Sequence, residues 1–264
     1  MFDRKYNQGR LFLIRNGAFG RNLSEIVEMN RNPLFIGGCG RSGTTLLLSL
    51  ISVHPSIYAI PFETCAFSSG GYHPEKKVVE NKSLYIDTVY KHFIESKVNI
   101  SKFSRWCEKT PMNIHFIEDI FGYFGEEAQF INIVRDGRDV VTSRHPSNPE
   151  SYYVSPDRWV RDVKAGYTFE SHPRVLTIRY EDLVDDYIST MKDVFTFVEM
   201  SLPLSVHNYP ESSQFSQSNA WFGKARPISN ASRGRWKQAK HDKIVEELVS
   251  TPEAEDLLAH YDYL

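Results

Sequence analysis

The chain has 264 residues, 41% of them hydrophobic, and a net charge of −2. That content is enough for one good core, and α/β folds of this length are often one domain. The near-neutral balance argues against bulk nucleic-acid or membrane-surface binding. Three cysteines, Cys39, Cys65 and Cys107, are scattered and lack C-x-x-C spacing. They argue against a disulfide framework or a zinc site and suit reduced thiols in a cytoplasm. The apolar run Leu11–Ile14 is too short for a signal-peptide core, and Leu46–Val53 is far below membrane-spanning length.

Strands and helices alternate along the chain. Leu34–Gly38 reads as a strand and Thr44–His54 as the helix behind it. Ser56–Ile60 follows His54-Pro55 and reads as a second strand, and Lys82–Lys97 as a helix. Arg105–Glu108 is a short strand, followed by a helix over Pro111–Phe121 with proline in its first turn. Phe130–Val134 is apolar apart from Asn132, as a central parallel strand should nearly be. Helices are expected from Gly137 to His145 and from Pro156 to Glu170. Val175–Ile178 is a further strand, followed by helices near Tyr187–Glu199 and His241–Val249. The pattern predicts a single α/β domain, a mostly parallel sheet flanked by helices, with its core over residues 33–240.

Between the first strand and its helix lies Gly37-Gly38-Cys39-Gly40-Arg41-Ser42-Gly43-Thr44-Thr45. Strand, glycine-rich turn and helix start form the layout of a phosphate-cradling loop. Gly38 to Gly43 fit G-x-x-x-x-G-K-[ST], except that Thr44 stands where the triphosphate motif has lysine and the charge has moved to Arg41. A nucleotide with a tail other than that of ATP or GTP is expected.

Ligands in such sheets bind outside the carboxyl ends of the strands. Those ends carry Pro61-Phe62-Glu63-Thr64, Lys109-Thr110-Pro111, Arg135-Asp136-Gly137-Arg138-Asp139 and Arg179-Tyr180-Glu181. Glu63, several cations and a tyrosine should therefore converge on one edge. Such a site seeks anions and holds a single obvious base, Glu63.

Four of these segments, in order, resemble the motifs of sulfotransferases that use 3′-phosphoadenosine 5′-phosphosulfate. Gly40-Arg41-Ser42-Gly43-Thr44-Thr45 resembles the loop that holds the 5′-phosphate. Ile133–Ser143 resembles the 3′-phosphate segment, in which the residues at Arg135 and Ser143 bind that phosphate. Arg179–Leu183 resembles a segment whose tyrosine, here Tyr180, contacts the nucleotide. Ser232-Arg233-Gly234-Arg235-Trp236-Lys237 resembles the late basic loop that closes on the cofactor.

His54–Thr64 is similar to the tyrosine-sulfotransferase segment that ends in a catalytic Glu-Thr, although the stretch from loop to glutamate is one residue longer. Cys107-Glu108-Lys109-Thr110-Pro111 is similar to their Lys-Asp-Pro segment, where the lysine and the loop arginine assist the leaving group. Ser147 stands near the place of a further arginine in that branch. Among sulfotransferases the motifs are nearest the protein-tyrosine and carbohydrate branch.

The resemblance implies an enzyme of the sulfotransferase class. Glu63 would be general base, a contribution of about 10²–10⁴-fold, with Arg41 and Lys109 stabilising charge on the leaving phosphate. The donor would be 3′-phosphoadenosine 5′-phosphosulfate and the product adenosine 3′,5′-bisphosphate, with no metal expected. The partner would be a hydroxyl-bearing acceptor, a glycan, tyrosyl peptide or small metabolite, facing residues 65–105 and 145–157. Those stretches include Gly70–Pro74 and Asn148–Tyr153. No nucleic acid and no membrane span are expected, and the location expected is cytoplasmic. The alternatives are a kinase-like phosphotransferase, which the threonine at 44 disfavours, and a non-catalytic nucleotide-binding relative.

Overall fold

The central strand β1, Leu34–Gly37, is buried along its whole length. It belongs to a computed structural model that describes residues 31–67, 87–96, 98–145, 148–215 and 224–264. The expectations for Leu11–Ile14, Gly70–Pro74 and Ser147, and for the first part of the helix from Lys82, lie outside those residues. β2 (Ile57–Ala59), β3 (Arg105–Lys109), β4 (Gln129–Val134) and β7 (Val175–Arg179) complete a five-stranded sheet of order β2-β3-β1-β4-β7. Every pairing in it is parallel. The fold class read from the sequence is the one observed, a single α/β domain.

Alternation along the strands divides the core into two layers. Phe35, Trp106 and Phe130 face one side, against Val89 and Phe93 of α2 (Asp87–Glu95) and Ile117 and Ile120 of α3 (Ile117–Phe124). Leu34, Ile36, Ile131 and Ile133 face the other, against α1 (Thr44–Ile51) and Met191, Val194 and Phe195 of α7 (Tyr187–Phe197). Burial on both faces is why these strands read as near-continuous apolar runs. A third cluster joins Cys39, Val134 and Trp159 to the C-terminal Leu257 and Leu258.

The connection from β1 runs to β2 on one side of the sheet, and that from β4 to β7 on the other. The reversal opens a crevice at the carboxyl ends of β1 and β4, where open parallel sheets bind ligands.

Several boundaries differ from expectation. Pro111–His115 is a 3₁₀ turn, and the α-helix begins only at Ile117. Here the Pro111 carbonyl accepts the Gly38 N–H, which holds the turn over the end of β1. The helix from Gly137, α4, stops at Val141. Thr142 and Ser143 donate their hydroxyls back to the Arg138 and Asp139 carbonyls, which competes with helix propagation. Arg144–His145 then pairs antiparallel with Asn148–Tyr152 as β5 and β6, since His145 precedes a proline and is pushed to extended backbone. Two short helices not expected from the sequence are α6 (Tyr180–Asp185) and α9 (Ala254–His260). α5 (Pro156–Tyr167) and α8 (Asp242–Val249) form close to expectation. No helix among the described residues is long and apolar enough to cross a membrane.

Candidate functional site

The turn after β1 is built for close approach by an anion. It passes through Gly38 (φ +146°), Arg41 (φ +72°) and Gly43 (φ +97°). A Cβ on Gly38 would lie 2.4 Å from the Ile133 carbonyl oxygen, and one on Gly43 would lie 2.5 Å from the Tyr180 ring. Only glycine fits either place. No side chain caps α1, so its first N–H groups, with Thr44 and Thr45 in the first turn, are left for an outside acceptor. The Ser42 hydroxyl is buried with no hydrogen-bond partner. A phosphate oxygen in the turn would satisfy it.

Arg135, just past β4, reaches across the crevice to this turn. One guanidinium nitrogen donates to the Arg41 carbonyl at 3.0 Å and another to the Ser232 carbonyl at 2.5 Å. Its plane lies over the Tyr180 ring at 4.4 Å, and its Nε is buried without a partner. The Tyr180 hydroxyl and the Ser232 hydroxyl are 2.7 Å apart. Burial, and then Arg135 nearby, pulls the Arg41 guanidinium below its ordinary value, with Arg235 adding to the repulsion. Clustered cations of this kind are relieved by a bound anion.

The late loop is fastened onto the same cluster. The Asp139 carboxylate accepts N–H bonds from Gly234 at 2.7 Å and from Trp236 at 3.4 Å. Arg235 donates to the Ala231 carbonyl. Arg233 takes another direction, since its guanidinium pairs with Asp185 at the end of α6. The Ser143 hydroxyl donates to the Asp139 carbonyl at 2.9 Å. Beside the turn, a cavity of about 430 Å³ is lined by Thr45, Leu46, Tyr180, Tyr209, Phe215 and Ile228, with Arg226 and Lys224 at its wall.

Glu63 and Lys109 form a second cluster. The Lys109 ammonium lies 2.5 Å from the Glu63 carboxylate, with the lysine side chain 1% exposed and the glutamate 32%. Burial pushes the Lys109 ammonium down from its ordinary range, and Glu63 opposes that shift. Lys109 pairs in register with Ile36, so it stands beside the strand that enters the glycine turn. The backbone after Glu63 passes through Cys65 at φ +50°, a region costly for a side-chain-bearing residue and held only by surrounding contacts.

Glu108 is the residue sequence reasoning passed over. It is fully buried, and its carboxylate accepts from the Thr64 backbone and hydroxyl, from the Thr110 hydroxyl and from the Asn113 amide. Burial raises its pKa, and those hydrogen bonds oppose the rise. The signal was present: a carboxylate inside an otherwise buried strand, one residue before Lys109. Asp139 and Ser232 likewise stood inside quoted motifs without a role. His115 pairs with the buried Asp162 at 2.7 Å.

A model described as the sulfotransferase family matches residues 33–203. The sequence is 26% identical to Protein-tyrosine sulfotransferase 1 of Danio rerio in an alignment that covers 69% of this chain and 57% of that relative's length. Among solved structures, the fold is similar to the sulfotransferase domain from the curacin biosynthetic pathway. The TM-score is 0.57 at 17% identity, covering 89% of this chain and 99% of that one. It is also similar to the sulfotransferase domain of the Synechococcus PCC 7002 olefin synthase, with TM-score 0.56, 20% identity and coverage of 89% and 96%. For mouse sulfotransferase SULT7A1, solved in complex with PAP, the TM-score is 0.51 at 16% identity, covering 89% and 90%.

Proposed function

The chain belongs to the sulfotransferase family, and from that premise we propose that it moves a sulfuryl group from 3′-phosphoadenosine 5′-phosphosulfate to an acceptor hydroxyl. The observation that carries this reading is the Glu63–Lys109 pair beside an uncapped glycine turn. It supports the reading by setting a carboxylate and a buried ammonium next to a turn suited to a phosphate.

The residues fit the donor in three respects. The turn Gly40–Thr45 offers N–H groups and the orphaned Ser42 hydroxyl to the 5′-phosphate. Arg135, with its unpartnered Nε, and Ser143 and the Arg233-Gly234-Arg235 loop near it are proposed to take the 3′-phosphate. The aromatic-edged cavity that includes Tyr180 suits a nucleobase. Two separate anion sites are what a ribose with phosphates at two positions needs.

Glu63 accepts the acceptor's proton as the acceptor oxygen bonds to sulfur and the bond from sulfur to the bridging phosphate oxygen breaks. Charge grows on that bridging oxygen. Arg41 and Lys109 stabilise it. The contact between Glu63 and Lys109 couples the two roles. When Glu63 carries the proton, the ammonium is no longer neutralised by it, and its full charge serves the leaving oxygen.

The similarity to a protein named for tyrosine makes a tyrosyl hydroxyl the first acceptor to try, with sugar hydroxyls next. The stretches 65–105 and 145–157 are proposed to face it. Scattered cysteines that form no disulfide suit a reducing compartment, so the proposal places the enzyme in the cytoplasm.

Ligand-induced thermal stabilisation tests the donor. A ligand that binds only the folded state adds RT ln(1 + [L]/Kd), about 2.7 kcal/mol at a hundredfold excess over Kd. Adenosine 3′,5′-bisphosphate is expected to raise Tm, and ATP with Mg²⁺ to leave it nearly unchanged. The reverse order would favour the kinase-like alternative.

A further inference from the structure

We propose that Glu108 is a positioning residue of this site, whose buried carboxylate pins the backbone carrying Glu63 to the strand carrying Lys109. The proposal rests on the reading of Glu63 as base and Lys109 as leaving-group cation.

The chain leaves the sheet after β2. Its last bond of that kind runs from the Ile60 N–H to the Cys107 carbonyl, at 2.9 Å. Beyond it, the backbone N–H groups of Thr64, Cys65 and Ala66 are each tied, directly or through a threonine hydroxyl, to one side chain. Glu108 Oε1 accepts from the Thr64 N–H at 3.0 Å, from the Thr64 hydroxyl at 2.9 Å and from the Thr110 hydroxyl at 2.6 Å. The Thr110 oxygen accepts the Cys65 N–H at 3.2 Å, and the Thr64 oxygen accepts the Ala66 N–H at 3.3 Å. Glu108 Oε2 accepts from Asn113 Nδ2 at 2.6 Å, and the same amide donates to the Ile36 carbonyl at 3.3 Å. One carboxylate thus joins the Glu63 loop, the Lys109-Thr110 segment and the end of β1, which opens the glycine turn.

All four donors to Glu108 are neutral groups. A carboxylate buried among neutral donors is a costly way to fill space, and an apolar side chain of the same size would do that better. What the carboxylate supplies is acceptor capacity, with three donors converging on one oxygen. Glu63 needs that fixity. A base must sit within hydrogen-bond reach of the proton it takes, and errors near 1 Å cost about a hundredfold in rate. Cys65 at φ +50° shows the backbone beside the base being held in a conformation it would leave if released.

Glu108→Gln tests this. The amide keeps the size and one acceptor oxygen, but its NH₂ meets the Asn113 NH₂ donor to donor. The rate is read as release of ³⁵S from labelled 3′-phosphoadenosine 5′-phosphosulfate, to water or to an added tyrosyl peptide. Glu108→Gln is expected to lower kcat about tenfold with the donor KM unchanged within about twofold. In a Glu63→Gln background the same change should cost less than about twofold, because the group it positions is already gone. Thr64→Val, which removes the hydroxyl with its ties to Glu108 and the Ala66 N–H but keeps the Thr64 N–H tie, should reproduce a weaker form of this pattern and guards against a Glu108 variant that does not fold. An equal loss in both backgrounds, or a donor KM that rises as far as kcat falls, overturns the positioning role. A Glu63→Gln protein as fast as the parent, or a parent that releases no sulfate, overturns instead the reading on which it rests.

Discussion

The two clusters at the sheet edge are built in opposite ways. Around the glycine turn, backbone makes the contacts: the turn passes through left-handed positions, and Arg135 is braced by two carbonyls. Around Glu63, side chains do it, and a buried carboxylate supplies the order that a strand ladder does not reach. The first arrangement is suited to hold a ligand whose charge is fixed. The second is suited to move a proton, because a carboxylate and an ammonium in contact change each other's charge balance when one is neutralised. Substitutions in the turn should therefore weaken binding, and substitutions around Glu63 should slow the chemistry.

Glu63→Gln is the sharpest way to break that division. It removes the proposed base and keeps the shape, so kcat should fall about 10²–10⁴-fold. Affinity for adenosine 3′,5′-bisphosphate, read by calorimetry, should stay within a few-fold. A parallel loss of affinity would erase the distinction between the clusters.

Arg135→Ala should do the converse. The residue braces Arg41 and Ser232 and is proposed to meet the 3′-phosphate, and loss of a charge-assisted contact costs about 1.5–3 kcal/mol. A bisphosphate Kd raised about 10- to 100-fold is expected, with kcat at saturating donor changed much less. Tyr180→Phe is gentler. It deletes only the hydroxyl that meets Ser232, so the Kd should rise about two- to tenfold.

The smallest effect concerns pH. Burial raises Glu108 above its ordinary carboxylate value, so the folded chain binds its proton more readily than the unfolded chain. The sign follows from linkage: this contribution is fully present below the unfolded value and is lost as pH rises through the folded one. The Tm of the parent minus that of Glu108→Gln should therefore grow as pH falls from neutrality toward about 4.5, the ordinary carboxylate value. A constant difference across scans at several pH values would contradict the burial argument.

The same contrast explains what could be read from the sequence. The glycine turn was legible because its geometry is local: Gly38 and Gly43 are glycines for backbone reasons, and a strand and a helix flank them. The parallel sheet, with its ligand edge at the strands' carboxyl ends, followed from the alternation of elements, whereas the strand order did not. Arg135 was legible from its place just past a strand. Glu108 was not, because its role depends on donors 44 residues away at Thr64, and no local pattern records that meeting. The Arg233–Asp185 pair was not legible for a similar reason, since the two residues lie 48 positions apart. The helix from Gly137 was read too long because the hydroxyls of Thr142 and Ser143 fold back on their own carbonyls.

The measurement that bears most directly on the account follows the label of ³⁵S-labelled 3′-phosphoadenosine 5′-phosphosulfate incubated with the protein and a tyrosyl peptide or a sugar acceptor. The account predicts label on an acceptor hydroxyl, with stoichiometric adenosine 3′,5′-bisphosphate, and loss of that transfer in both Glu63→Gln and Lys109→Met. Label that stays with the donor across acceptors of both classes, in a protein that the bisphosphate also fails to stabilise, would contradict it.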